Sequence, residues 1–320
     1  MKSWLHFLSN IFIKTIHHHS DNGDVVMSKD DLVSFFKKAQ HSYQLNVGLI
    51  SIDKLHGEKI SPYSGHGLDY SESRYYTPGD DIRTINWKQS ARTDQLITKK
   101  FHQENENIDY LILDQRHAMF FGTLSQPKMA TAIKLGIISV IGSLNSRKTI
   151  RIISMGNKIE ISPVLDNYEK ILSFFTNVAK RKVSGESHIQ PDFLAALKCM
   201  QSIKPIASSI TFISDFHDLS DKEGKYIKSL CSANNVMLYH VQDHIEKSLP
   251  NLFPVNYQSL NGDKSVTLSS RTELKAFIKM IESDNLILSE LLSSLPTHLN
   301  KIENTINDNE LLHLQVAQWM

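Results

Sequence analysis

The run Ile108-Asp109-Tyr110-Leu111-Ile112-Leu113-Asp114 is the clearest structural signal in the chain. A short, mainly apolar run of this kind reads as a strand buried on both faces, and it ends by delivering the carboxylate of Asp114. Outward from it the pattern alternates. Leu96 to Phe101 reads as a strand, Pro127 to Leu144 as a helix with Pro127 suited to its first turn, and Thr149 to Ser154 as an apolar, β-branched strand. Lys158 to Ser162 alternates, Tyr168 to Ala179 is helical, and Asp192 to Met200 is a short helix. Ser209 to Ile213 is a strand that ends on Ser214 and Asp215, followed by a helix over Leu219 to Cys231 and a strand over Val236 to Val241. Strands separated by helices of this length predict an α/β fold, a mostly parallel sheet with helices on both faces. Ligands of such sheets sit at the carboxyl ends of strands, where Asp114 and Asp215 both fall.

The flanks have a different texture. Residues 17–28 are polar and read as a linker, and a helical pattern through Leu32, Val33, Phe35, Phe36 and Ala39 fades near Gln44. From Asn46 to Arg92, glycines and prolines punctuate short pieces carrying Tyr63, Tyr70, Tyr75, Tyr76 and Trp87, which suits turns and hairpins. Beyond Asn251 come a β excursion near Val255 to Leu268, a long helix over Thr272 to Leu292 and a final amphipathic segment from Asn309. The expected organisation is therefore N-terminal helices and linker over 1–45, a β-rich insert over 46–95, an α/β domain over 96–250, and a β excursion with helices over 251–320. At the N-terminus, positions 4, 8, 12 and 16 stack on one face of an amphipathic helix, which either packs on its own domain or lies on a membrane surface.

Composition excludes several classes of function. The 320 residues carry 35 Lys and Arg against 34 Asp and Glu, a net charge of +1 that gives no general reason to expect a nucleic-acid partner. No run reaches the roughly 20 apolar residues of a transmembrane helix. Two cysteines, Cys199 and Cys231, form neither a disulfide framework nor a four-ligand zinc site, and they predict a reduced, cytoplasmic compartment and inert thiols. No glycine-rich phosphate loop, His-Glu-x-x-His or Gly-x-Ser-x-Gly occurs. His17, His18 and His19 stand in the polar linker, where a cluster binds metal adventitiously.

The segment Gly65-His66-Gly67-Leu68-Asp69-Tyr70-Ser71-Glu72-Ser73-Arg74-Tyr75-Tyr76-Thr77-Pro78-Gly79-Asp80-Asp81-Ile82-Arg83-Thr84-Ile85-Asn86-Trp87 resembles the signature of the bacterial domain of unknown function fifty-eight. The likeness continues through Ser90-Ala91-Arg92, Lys99 and Phe101, Glu104 and Glu106, Asp114, and Phe121-Gly122-Thr123 with Lys128. It resumes at Phe212-Ile213-Ser214-Asp215-Phe216 and at Asp243 with Glu246, covering roughly residues 45 to 250. The resemblance implies a von Willebrand factor A-like (Rossmann-type) domain with a β-rich insert, often encoded beside a MoxR-type AAA+ ATPase, and here of the soluble type. It implies no chemistry beyond binding and no cofactor. The expected partners are that ATPase and a client protein, and the ATPase cannot be this chain.

In von Willebrand factor A domains the first strand ends in Asp-x-Ser-x-Ser, whose oxygens, with a distant Thr and a second strand-end Asp, hold Mg²⁺. Here Arg116 and Ala118 stand in place of the serines, so the resemblance implies a degenerate metal site, with Ser187 a weak candidate for the distant hydroxyl. Either the Arg116 fork bridges Asp114 and Asp215 in the metal's stead, or Arg116 points to solvent. The strand-end residues Asp114, Arg116, His117 and Asp215 are the expected partner-binding set. The alternative is a metal-dependent binding or hydrolytic module using Asp114 and Asp215. Read by themselves, Arg74, Arg83 and Arg92 among Glu72, Asp80 and Asp81 predict forked ion pairs that fix the loop, with a Pro78-Gly79-Asp80 turn and Trp87 as apolar plug. That block serves either as a clasp between insert and core or as a partner-binding surface.

Overall fold

The structure, a computed structural model, describes residues 11–13, 26–50, 64–78, 80–93, 95–102, 108–122, 126–180, 191–247, 255–259, 265–268 and 270–316. Its strands in chain order are β1 (Ile11–Ile13), β2 (Ser64–Tyr75), β3 (Ile97–His102), β4 (Ile108–Asp114), β5 (Thr149–Met155), β6 (Ile159–Ile161), β7 (Ser209–Ser214), β8 (Asn235–Gln242), β9 (Val255–Ser259), β10 (Ser265–Leu268) and β11 (His298–Glu303). The helices are α1 (Lys29–Ile50), α2 (Trp87–Thr93), α3 (Lys128–Asn145), α4 (Tyr168–Ala179), α5 (Phe193–Ile203), α6 (Asp221–Cys231), α7 (His244–Lys247), α8 (Arg271–Ser293) and α9 (Asp308–Val316). Residues Gly48–Asn107 form one compact unit, and Met1–Val47 with Ile108–Met320 form the other.

In the larger unit six strands make one sheet in the order β11-β8-β7-β4-β5-β6, parallel throughout except for the β5–β6 hairpin. Strand β4 is buried along its whole length, and its residues divide between two cores by the twofold alternation of a strand. Leu111 and Leu113 pack with Phe35, Ile133, Ile137, Phe175 and Leu311, from α1, α3, α4 and α9. Ile108, Tyr110 and Ile112 pack with Phe193, Leu197 and Ile227, from α5 and α6, and with Leu292 of α8. Helix α3 is buried on nearly every side, which explains its near-continuous apolar sequence. Gly136 lets it approach closely, since a Cβ there would lie 2.9 Å from the Phe175 ring.

The chain leaves β4 toward β5 on one side and returns to β7 on the other, so the connections diverge at the carboxyl ends of β4 and β7. Such a divergence opens the crevice in which doubly wound sheets bind ligands.

Several expectations need correction. The strand expected from Leu96 does not join the α/β sheet; β3 pairs antiparallel with β2 inside the smaller unit. The sequence from Asn46 to Arg92 is less fragmented than its turn residues suggest, because β2 is a 12-residue strand. Within the expected N-terminal amphipathic helix, Ile11–Ile13 is a strand on β9, and the remainder of that segment lies outside the described residues. The end of the expected linker is anchored: Val26 donates its amide to the Ala179 carbonyl and Met27 is buried. Helix α1 runs on to Ile50 rather than fading near Gln44. The sixth strand, β11, was not expected, because its alternation is polar and it occupies a sheet edge. Among the described residues no helix is long and apolar enough to cross a membrane.

Candidate functional site

The crevice at the divergence of β4 and β7 is filled by charged side chains of the chain itself. Asp114 closes β4, and Arg116, two residues on, folds back over it. Arg116 Nε and Nη2 donate to the two Asp114 oxygens at 3.0 and 2.7 Å, and its backbone amide donates to Oδ1 at 3.0 Å. The other edge of the guanidinium donates to Asp218, Nη1 to Oδ2 at 2.5 Å and Nη2 to Oδ1 at 3.0 Å. A planar fork gripping two carboxylates bidentately is the strongest geometry an arginine can adopt. Burial disfavours its charge, but Asp114 and then Asp218 outweigh that and hold its pKa well above the ordinary value. Ser214 Oγ donates to Asp114 Oδ2 at 2.6 Å, which completes the carboxylate's shell.

A second cation lies beside the first. Lys128, in the first turn of α3 and only 2% exposed, donates from Nζ to Asp215 Oδ2 at 2.8 Å and to Glu246 Oε1 at 2.7 Å. Its burial works against the ammonium charge, yet the two carboxylates raise its pKa. For Asp215 the opposite sum holds: burial pushes upward, while Lys128 first, then His217 and Arg116, keep it well below the usual carboxylate range. Burial wins at Glu246, whose pKa is raised despite Lys128. Two built-in cations are thus each shared by two carboxylates. No group of three or more metal-binding side chains exists among the described residues.

The turn after β7 assembles this arrangement. Phe216 has φ of 53°, a left-handed conformation that costs a bulky residue on the order of 1 to 3 kcal/mol. Its ring is fully buried and packs edge-on against Phe193 and His240, and its amide donates to Ser214 Oγ. The reversal brings His217 Nδ1 to 2.6 Å from Asp215 Oδ1 and aims Asp218 at Arg116. Asp218 Oδ2 also accepts the Phe193 amide, which ties the start of α5 to the cluster. Burial would lower the His217 pKa, but its pairing with Asp215 raises it. Arg116 and His217 likewise lower Asp218 against its burial. His240, on β8, is buried with Nδ1 unpartnered, and burial depresses its pKa to about 4.

Of the expected partner-binding set, the structure brings Asp114 and Arg116 into direct contact and seals both, together with Asp215, away from solvent; His117 is half-buried. The expected Arg116 bridge from Asp114 to Asp215 is corrected: its second partner is Asp218, and Lys128 takes Asp215. A solvent-pointing Arg116 is likewise overturned, because the side chain is buried. Sequence reasoning missed Asp218, His217 and the pairing of Lys128 with Glu246. Lys128 and Glu246 carried a signal as part of the family resemblance, whereas the turn at Phe216 carried none. The candidate hydroxyl Ser187 lies outside the described residues.

The signature block sits in the smaller unit. Arg74 Nη2 donates to Asp80 Oδ1 at 2.6 Å, and Asp80 Oδ2 accepts the Thr77 amide, closing the turn through Pro78; Gly79 lies outside the described residues. That amide chiefly, with Arg74 in support, lowers the Asp80 pKa. Tyr76 donates its amide to Leu96, and Asp81 caps the 3-10 turn at Ile82–Thr84 through the Arg83 amide rather than pairing with a guanidinium. Arg83 and Arg92 are exposed and form no ion pair with a described residue, contrary to expectation. Trp87 is 63% exposed and so is not an apolar plug. Cys199 and Cys231 are half-buried free thiols whose pKa values burial raises.

The fold is α/β, with a mostly parallel sheet whose β4 and β7 carboxyl ends are covered by the chain's own ion pairs. The chain belongs to the family described as protein of unknown function DUF58, whose profile matches residues 72–283. It is similar to uncharacterised proteins of Mycobacterium bovis and Mycobacterium tuberculosis, at 22% identity over 205 residues, 64% of this chain and 64% of each relative. The match therefore spans just under two thirds of those relatives. Among solved structures it is similar to the conserved hypothetical protein BatB from Bacteroides thetaiotaomicron, at 12% identity and a TM-score of 0.39, over 66% of this chain and 98% of that one.

Proposed function

We propose that this chain is a non-enzymatic protein-interaction module with a von Willebrand factor A-like domain, an adaptor or substrate-recruiting partner of a MoxR-type AAA+ ATPase. One observation carries the non-enzymatic part: at the point where the sheet would take a ligand, Lys128 and Arg116 occupy the oxygen cage as fixed cations. On this reading the crevice is a degenerate metal-ion-dependent adhesion site, with an ammonium and a guanidinium in the ion's stead. The resemblance in the signature block supports the ATPase partnership, the free thiols Cys199 and Cys231 support a reduced, cytoplasmic setting, and the net charge of +1 gives no reason to expect nucleic acid. Co-purification from the native host, with and without ATP and with and without EDTA, tests it. An AAA+ ATPase recovered irrespective of EDTA is the expected result; recovery that needs a divalent ion, or no ATPase in either condition, overturns it.

A second reading has its own observation. His217, partly exposed, is held through Nδ1 by the buried Asp215, which is how a general base is oriented. A hydrolytic module built on Asp114 and Asp215 would first have to release both from Arg116 and Lys128. Screening the purified protein against phosphate and carboxylate esters separates the readings: turnover abolished by His217→Ala favours the enzyme.

A further inference from the structure

Two exposed faces of this chain complement each other in charge and in apolar content. The first is on the smaller unit. At 100° per residue, Trp87, Ala91, Lys88 and Arg92 of α2 fall on one continuous arc. All four are exposed, whereas Ser90, outside the arc, is buried, accepting the Ile97 amide and donating to the Asn86 carbonyl. The preceding turn adds Arg83 and Ile82, the latter 63% exposed. From Ile82 to Arg92 the sequence has Arg83, Lys88 and Arg92 and no acid, and none of the three pairs with a described residue.

The second face is on α8 of the larger unit. Glu282, Leu286, Glu290, Ser283 and Ile287 also fall on one arc, and all are exposed, Leu286 at 63% and Ile287 at 55%. The opposite side of the helix, with Leu288 and Leu292, packs into the core. Between Met280 and Ser293 the acids are Glu282, Asp284 and Glu290, with no Lys or Arg. Glu282 and Glu290 pair with no described residue. Large apolar side chains exposed among charges of a single sign mark an interaction surface, and charges of opposite sign on two such surfaces select them for each other.

We propose that the α2 face of one copy docks on the α8 face of a second copy, Ile82 and Trp87 against Leu286 and Ile287, and Arg83, Lys88 and Arg92 against Glu282 and Glu290. Two such contacts related by a twofold axis close a dimer. The inference is independent of the ATPase reading and stands or falls separately.

Sedimentation equilibrium of the full chain over roughly 1 to 200 µM tests it. The expected result is a monomer–dimer equilibrium that about 0.5 M NaCl shifts to monomer. Arg83→Glu/Arg92→Glu and Glu282→Arg/Glu290→Arg should each weaken association at least tenfold while keeping the wild-type circular dichroism, as should the uncharged change Trp87→Ala. An equimolar mixture of the two reversed proteins should associate again, because one retains an acidic face and the other a basic one. A wild-type monomer at every concentration, a dimer unaffected by either reversal or by Trp87→Ala, or a mixture that stays monomeric overturns the proposal.

Discussion

Lys128 Nζ lies 2.8 Å from the carboxylate of Asp215, 87 residues further along the chain, and both are buried. An ammonium at that depth persists only because Asp215 and Glu246 repay its desolvation, so the three groups stand or fall together. Lys128→Met leaves two carboxylates facing each other without a cation. It should destabilise the fold by about 3 to 5 kcal/mol, as breaking a buried pair does. Urea unfolding measures this, and a change under about 1 kcal/mol would show the cluster to be better hydrated than its burial indicates.

Arg116 and Arg74 provide a contrast between a buried fork and an exposed one. Arg116→Ala strands Asp114 and Asp218 and should cost about 3 to 5 kcal/mol. Arg74→Ala, at a pair open to solvent, should change the unfolding midpoint far less. Equal losses for the two variants would contradict the burial on which the contrast rests.

Two histidines should bend the pH profile of stability in opposite directions. His240 is held neutral in the fold, with a pKa of about 4 against 6.5 when free, so the unfolded chain binds its proton first as pH falls. Its contribution is complete above pH 6.5 and is lost toward pH 4, on the order of 3 kcal/mol. His217 has a raised pKa, so its contribution is present below 6.5 and lost as pH rises through the folded value. His240→Phe should flatten the acid limb and His217→Ala the neutral-to-alkaline decline, read by urea midpoints from pH 4 to 9. Unaltered limbs in both variants would mean that neither group titrates differently on folding.

Divalent cations should leave the protein's melting temperature unchanged up to about millimolar concentration, because Lys128 and Arg116 already neutralise the carboxylates a hard cation would seek. Lys128→Ala frees Asp215 and Glu246, and there Mg²⁺ or Mn²⁺ should recover part of the lost stability. Micromolar binding to the wild-type protein in a calorimetric titration, abolished by Asp114→Ala, would contradict this.

The α/β alternation and the strand-end positions of Asp114 and Asp215 are legible in the amino-acid sequence alone. Burial on both faces forces an apolar run on β4, α3 must be apolar all round because the sheet covers one side and α1, α4 and α9 the other, and a central strand that ends at the divergence leaves its terminal carboxylate at the crevice. The family is legible in the sequence too, because the signature from Glu72 to Trp87 falls inside the matched residues 72–283 and is read without coordinates. Which charge meets which is set by the folded chain. Arg116 reaches Asp218 rather than Asp215 because Phe216, buried between Phe193 and His240, turns left-handed and swings Asp218 round, and no local propensity predicts that turn in a phenylalanine. Leu96 to Phe101 looked like part of the main sheet because strand propensity identifies a strand and not its partner. His298–Glu303 gives no strand pattern because only Leu299 and Ile302 of its six residues are apolar, one toward each core, and the sheet that supplies its hydrogen bonds exists only once the chain has folded.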